Sequence, residues 1–142
     1  MNERPFTSVI QRLQGAGLRP TRQRLALGKL LFDGGDRHVT AEDLHEQARG
    51  ARVPVSLATV YNTLHQFTKA GLLREVVVEP GRAYFDTNVS GHHHFFFEDS
   101  GRIQDIAEHQ ITIDSLPDVP EGTRLSRVDI VVRVVNNDPE QD

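Results

Sequence analysis

The amino-acid sequence predicts an α+β protein in two parts, a helical region closed by a β-hairpin over residues 1–84 and a small α/β region over residues 85–142. Apolar residues recur at helical spacing as far as Gly71 and alternate at strand spacing beyond it. Charge divides the chain in the same place, because residues 1–84 hold 12 Lys and Arg against 8 Asp and Glu, whereas residues 85–142 hold 4 against 12. The first region can therefore approach phosphate groups, and the second would be repelled by them.

Composition narrows the chemistry that the chain can carry. Its 142 residues include no cysteine, which excludes disulfides, thiolate-bound zinc and cysteine nucleophiles. Any bound metal would be held by His, Asp, Glu or Tyr. No apolar run approaches the roughly 20 residues that cross a bilayer, and no signal-peptide pattern opens the sequence, so we expect a cytoplasmic protein with no membrane partner. Residues 136–142 are expected to fray.

Four helices are predicted in the first region, because each apolar stripe follows a residue that can cap a helix: Thr7 or Ser8, Thr21, Thr40 and Ser56. Thr40 and Asp43 have the spacing of a capping box. Residues 72–79 and 82–86 are rich in β-branched and aromatic side chains, and Pro80-Gly81 between them suits a type II turn. Helices followed by a hairpin are the layout of a winged helix-turn-helix, although an ordinary α+β domain has the same pattern.

The second region is predicted to contain three strands and a short helix. Residues 91–97 form an aromatic strand, residues 102–106 its partner, and residues 107–116 a short helix. The last strand begins at Ser126 and places Val128, Ile130, Val132 and Val134 on one face. Because this region has fewer than 60 residues, its core is small, and pairing with a second copy in a dimer would enlarge it.

The fourth predicted helix has an apolar back and a polar front. Leu57, Val60, Leu64 and Phe67 share one side of a helical wheel, and Thr59, Asn62, Gln66 and Lys69 share the other. Asn and Gln can bond adenine in a major groove, and methyl groups can meet thymine, so this front suits the reading of DNA bases. Periodicity alone favours a solvated amphipathic helix over a DNA-reading one.

Three motifs in register carry a family resemblance: residues 18–24 (LRPTRQR), residues 38–44 (HVTAEDL) and residues 56–64 (SLATVYNTL). Together they resemble the ferric uptake regulator family. The resemblance implies a homodimeric winged-helix regulator with an N-terminal lobe that binds double-stranded operator DNA and a C-terminal dimerisation lobe. It also implies that Tyr61 touches bases and that Arg19 reaches the minor groove, which suits A·T-rich DNA. Asn62 stands where many members have Arg, so the base preference can differ.

The same resemblance implies a regulatory metal site formed by His38, Asp86, His94 and Asp105. Two imidazoles and two carboxylates suit Fe(II), Mn(II) or Zn(II). Two family features are absent: Phe97 and Ser100 stand at the positions of a Cys-x-x-Cys zinc site, and a second metal site is incomplete because His93 replaces an Asp and Val128 replaces a His.

Three consecutive histidines without cysteines are most similar to the iron response regulator branch of the family, and in that branch the implied ligand is heme. Neutral imidazole is a good axial ligand for heme iron, and residues 95–97, all phenylalanine, offer apolar surface for a porphyrin. His92, His93 and His94 are therefore the candidate heme site. The branch often has an N-terminal cysteine-containing heme motif, which this chain lacks.

From these features we expect an iron-responsive repressor of genes for heme synthesis, iron storage and iron use. It would bind an inverted-repeat operator when iron is scarce and leave it when heme binds. An alternative within the family is a metal-activated repressor or a peroxide sensor, in which bound metal tightens DNA binding. A metalloenzyme is a third alternative, but the sequence contains no metalloprotease motif, nucleophile elbow or phosphate loop, so we expect no enzymatic activity.

Overall fold

A computed structural model describes residues 6–90 and 93–137, and they form an α+β fold in two compact units, Met1–Val89 and Ser90–Asp142. The division falls after Val89 and not after residue 84, because the last strand of the first unit continues to Asp86. None of the helices in the described part of the chain is long and apolar enough to cross a membrane.

The described residues of the first unit form four helices and three strands. In chain order these are α1 (Thr7–Gly15), α2 (Arg22–Phe32), β1 (His38–Val39), α3 (Ala41–Gly50), α4 (Leu57–Lys69), β2 (Arg74–Glu79) and β3 (Arg82–Asp86). The strands form an antiparallel sheet in the order β1-β3-β2. The apolar stripes of the four helices meet in one core, which includes Leu13, Leu31, Leu44, Leu64 and Phe67.

The predicted caps begin three of the four helices. The side chains of Thr21, Thr40 and Ser56 each accept a hydrogen bond from a backbone N–H in the first turn, and Thr40 with Asp43 forms the full capping box. The cap predicted for α1 is wrong, since α1 begins at Thr7 after Phe6 with no side-chain cap. The predicted hairpin is confirmed, and Gly81 in its turn has a φ of 76°, which a residue with a Cβ rarely adopts.

The second unit is a three-stranded sheet with the order β5-β4-β6, where β4 is His93–Phe97, β5 is Arg102–Ile106 and β6 is Val131–Val134. Strand β5 pairs with β4 antiparallel, and β6 pairs with β4 parallel. The helix predicted over residues 107–116 is wrong, because only the 3-10 turn Glu108–Gln110 forms. Thr112 and Ile113 are β-branched, and their restricted χ1 disfavours helix.

The last strand begins at Val131 and not at Ser126 as predicted. The backbone N–H of Ile130 is engaged by the His93 side chain, which accepts its hydrogen bond at Nδ1 over 3.2 Å. The Ile130 carbonyl accepts a backbone hydrogen bond of 3.1 Å from the His94 N–H. Val132 and Val134 are half-buried while Arg133 is exposed, as the alternation predicts for this part of the strand.

Candidate nucleic-acid interface and metal ligands

Helix α4 presents the polar face that the sequence predicts. Val60, Leu64 and Phe67 are fully buried in the core of the first unit, and Ser56 caps the helix through the N–H of Thr59 at 3.1 Å. Asn62, Gln66 and Lys69 are exposed, and Thr59 is half-exposed. The packed back fixes the orientation of the helix, so its front is held open to a ligand.

A surface cleft of about 450 Å³ joins this front to the beginning of α2. It is lined by Arg19, Thr21, Gln23, Arg24, Thr59, Asn62, Thr63 and Gln66. Four of the six residues predicted to bind DNA therefore line a single cleft. Basic and amide side chains dominate its lining, which is the chemistry that binds phosphates and base edges.

Tyr61 and Lys69 do not line this cleft. The Tyr61 hydroxyl donates a hydrogen bond of 2.7 Å to the Glu42 carboxylate of α3, and its ring stacks near that of His65 with centroids 6.4 Å apart. The hydrogen bond to Glu42 raises the pKa of Tyr61, because the proton is shared with a carboxylate. Lys69 lies in the last turn of α4.

In the first unit, His38 and Asp86 lie directly opposite each other on β1 and β3. His38 Nε2 lies 3.0 Å from Asp86 Oδ2, and the Asp86 side chain is fully buried. The other carboxylate oxygen, Oδ1, accepts a hydrogen bond of 2.9 Å from the N–H of Asn88. The Arg37 N–H donates to Thr87 Oγ1 at 2.8 Å, and the Thr87 N–H donates to the Arg37 carbonyl at 3.0 Å, which extends the pairing beside His38 and Asp86.

In the second unit, His94 and Asp105 are partners across β4 and β5. His94 Nε2 lies 3.3 Å from Asp105 Oδ1, with the His94 side chain 2% exposed and that of Asp105 38% exposed. Each unit therefore holds one imidazole–carboxylate pair on neighbouring strands. Such a pair is two ready ligands for a divalent ion, because a nitrogen and an oxygen already converge on one point.

The remaining histidines of the cluster differ from one another. His93 is buried, and its Nδ1 accepts the hydrogen bond from Ile130, so this residue also has a structural role. His92 lies outside the described residues. Phe96 is buried, whereas Phe95 and Phe97 are half-buried and line one side of the sheet together with Val134.

Two residues that shape the interface were missed by the sequence analysis. Arg24 bonds Gln66, which lies 42 positions away in the chain, and Glu42 bonds Tyr61 across 19 positions. Helical periodicity places Arg24 and Glu42 on polar faces but cannot show which distant side chain each one meets. Only the packing of α2 and α3 against α4 brings these partners together.

The first unit is basic and helical, with a capped, outward-facing helix and a β-hairpin, and the second is a small sheet. Each unit carries one imidazole–carboxylate pair. These features define a winged-helix transcription regulator that responds to metal. The model of the ferric uptake regulator family matches residues 15–132. The chain belongs to this family, whose members are metal-responsive, DNA-binding transcription regulators and not enzymes.

Individual relatives agree with this assignment. The ferric uptake regulation protein of Cupriavidus metallidurans is 35% identical over 100 residues, which cover 70% of each chain. The peroxide operon regulator of Bacillus subtilis is 34% identical over 97 residues, which cover 68% of this chain and 66% of that protein. Among solved structures, the ferric uptake regulator of Pseudomonas aeruginosa with manganese is similar with a TM-score of 0.71 at 28% identity, covering 92% of this chain and 98% of that chain.

Proposed function

We propose that the chain is an iron-responsive transcriptional regulator that binds A·T-rich, inverted-repeat operator DNA as a homodimer. It acts mainly as a repressor of genes for heme synthesis, iron storage and iron-using proteins. The observation that carries the iron-sensing part is the imidazole–carboxylate pair in each unit, His38–Asp86 at 3.0 Å and His94–Asp105 at 3.3 Å.

The DNA-binding part is supported by the exposed front of α4. Thr59, Asn62 and Gln66 would face base edges in the major groove, and Arg19 beside them would reach the adjacent minor groove. Lys69 at the end of α4 would contact a phosphate, and the ring of Tyr61 on the flank would add contacts to bases.

Dimerisation is supported by apolar surface on the second unit. Four large side chains in the segment between β5 and β6 are between 40% and 54% exposed, namely Ile113, Leu116, Val119 and Leu125. Val135, directly after β6, is 65% exposed. A small sheet with this much uncovered apolar surface is stabilised when a second copy covers it. Light scattering coupled to size-exclusion chromatography should give twice the mass of the chain, and a monomer at micromolar concentration would contradict the homodimer.

The donor set fits a divalent ion. Two imidazole nitrogens and two carboxylates suit Fe(II), Mn(II) or Zn(II), and the N–H of Asn88 donates to the Asp86 carboxylate and holds it in place. His38 and Asp86 would supply ligands from the first unit, and His94 and Asp105 from the second. A bound ion would favour the DNA-binding conformation to the extent that it binds this conformation more tightly than the others.

In the second form of the proposal, heme binding releases the protein from DNA. The heme would bind on β4, the strand that also carries His94. His94 or His93 would hold the heme iron: binding through Nε2 of His94 would remove this nitrogen from Asp105, and binding through Nδ1 of His93 would replace its hydrogen bond with Ile130. Heme at this strand would thus compete with a divalent ion that uses His94. The two forms predict opposite responses: a divalent ion tightens DNA binding, and heme weakens it.

The test measures binding to an A·T-rich inverted repeat by fluorescence anisotropy in four conditions: chelator, Mn(II), heme, and Fe(II) followed by peroxide. Binding only with Mn(II) supports the divalent-ion form, and release by peroxide from the Fe(II) complex supports a peroxide sensor, as the likeness to the Bacillus regulator suggests. Binding in chelator that heme abolishes supports the heme form. Affinity that is the same in all four conditions would refute iron sensing.

Variants show which histidines carry the Mn(II) response and which carry the heme response. His38→Ala should remove the Mn(II) response and leave the heme response intact, whereas replacing His92, His93 and His94 together with Ala should remove the heme response. His109→Ala is the matched control, because His109 is exposed and belongs to neither pair. A heme response that survives the triple replacement would overturn the histidine-strand assignment.

A further inference from the structure

Arg24 connects the two segments that carry the DNA-binding residues. Its guanidinium donates from Nε and Nη2 to the side-chain oxygen of Gln66, at 3.2 and 3.1 Å, and from Nη1 to the backbone carbonyl of Arg19, at 2.9 Å. Arg24 lies in the first turn of α2 and is half-buried, and Gln66 lies on the exposed front of α4. One side chain therefore holds the recognition surface of α4 and the segment that precedes α2.

The chemistry of the two side chains fixes which way the Gln66 amide points. A guanidinium carries five N–H donors and no acceptor. If the amide were turned around, its nitrogen would face two donors, which is repulsive. The oxygen Oε1 must therefore face Arg24, and the NH₂ group faces away from it, toward the exposed side of α4.

We infer that Arg24 sets the base preference of the recognition helix by presenting Gln66 to DNA as a hydrogen-bond donor only. This inference rests on the proposed binding of DNA by the front of α4. A free Gln offers both a donor and an acceptor, which matches the N7 acceptor and N6 donor of adenine. With its oxygen held by Arg24, Gln66 offers only N–H, which matches the acceptors of guanine, adenine or thymine. Cytosine presents only a donor in the major groove, so it is the base that this position rejects.

The same guanidinium also positions Arg19. The Arg19 carbonyl accepts a second hydrogen bond of 2.9 Å from the N–H of Thr21, so the backbone before α2 is held from two sides. Removing Arg24 leaves only the Thr21 contact. Loss of Arg24 therefore loosens the residue proposed for the minor groove and lowers affinity for every sequence, in addition to changing the preference at the base that Gln66 meets.

The experiment is selection from a randomised duplex library by the full-length protein with Mn(II), followed by sequencing of the bound DNA. The wild-type protein should show one position in each half-site at which cytosine is depleted on the order of 10-fold, as expected for leaving a hydrogen-bond donor unpaired. Arg24→Ala frees the Gln66 oxygen, and adenine should become enriched at that position. Arg22→Ala is the matched control, because Arg22 is an exposed arginine in the same turn and its loss removes the same charge.

Gln66→Glu provides a second test that does not depend on the loss of Arg24. The glutamate keeps an oxygen for Arg24 and turns an acceptor toward DNA, so cytosine should be enriched where the wild-type protein rejects it. Identical base preferences in the wild-type, Arg24→Ala and Gln66→Glu proteins would overturn the inference while leaving the proposed function intact. A wild-type protein that enriches no DNA sequence would overturn both.

Discussion

Replacement of Asp86 by Asn tests the most buried of the four proposed metal ligands. Oδ1 of the carboxylate accepts a hydrogen bond of 2.9 Å from the Asn88 N–H, and His38 Nε2 lies 3.0 Å from Oδ2. Asn has the same shape, so its oxygen can keep the Asn88 bond. Its NH₂ group would then face His38, which can adopt the tautomer that accepts at Nε2. The fold is therefore retained, and the loss is that of one charge-assisted hydrogen bond, about 2 kcal/mol.

In this variant, the stabilisation by bound metal should be almost lost, whereas the unfolding free energy without metal should fall only by the amount given above. An ion that binds only the folded state stabilises it by about 2.7 kcal/mol when its concentration is 100 times the dissociation constant. An amide is a poor ligand for a divalent transition metal beside a carboxylate, because it carries no charge. The Asp86→Asn protein should therefore gain almost none of this stabilisation at the same metal concentration.

Urea unfolding followed by circular dichroism, in chelator and in Mn(II), measures both quantities. Asp114→Asn is the control, since Asp114 is exposed and the replacement removes the same charge. It should unfold like the wild-type protein in both conditions. If Asp86→Asn gains as much stability from Mn(II) as the control does, Asp86 is not a ligand and the proposed donor set is wrong.

Three further predictions follow from the packing and hydrogen bonds of the first unit. A Cβ at Gly28 would lie 2.8 Å from Val9 Cγ1, so Gly28→Ala should lose about 1 to 3 kcal/mol of unfolding free energy, and Val9→Ala in the same chain should recover part of it. Arg52 has a φ of 59°, so Arg52→Gly should increase the unfolding free energy by about 1 kcal/mol and raise the urea midpoint. A lower midpoint would contradict this. Because Glu42 raises the pKa of Tyr61, its hydrogen bond stabilises the fold below pH 10 and is lost as the pH rises through the shifted pKa. NMR titration of the Tyr61 ring should show this pKa fall in Glu42→Gln, and an unchanged value would refute the assignment.

The helical half of the fold was predictable because its signals are local. A cap, an apolar stripe and a terminating glycine lie within one short segment, and Thr21, Thr40 and Ser56 all act as the pattern indicates. The hairpin was predictable for the same reason, since Pro80-Gly81 supplies its turn. Strand β1 was not predicted, because two residues carry no periodicity and His38–Val39 becomes a strand only by pairing with β3.

The second unit was predicted less well because its elements depend on contacts that are distant in the chain. Just before the last strand, the His93 ring contacts the Ile130 N–H, and no alternation pattern predicts this contact. Among the candidate ligands, Asp86 lies opposite His38 only because β1 pairs with β3, and the sequence does not show this pairing. The resemblance proposed the four ligands, but the register of each sheet explains why they occur in two pairs.

The pairing of ligands within each unit bears on what a bound ion can regulate. Asp86 is fully buried, and a buried carboxylate without a partner would destabilise the first unit by several kcal/mol. His38 and the Asn88 N–H both contact this carboxylate, so protein groups compensate for its burial. In the second unit His94 and Asp105 meet in the same way. In the proposed mechanism, an ion regulates DNA binding only through a difference in its affinity for the conformations of the protein, because an ion with equal affinity for all of them would shift no equilibrium.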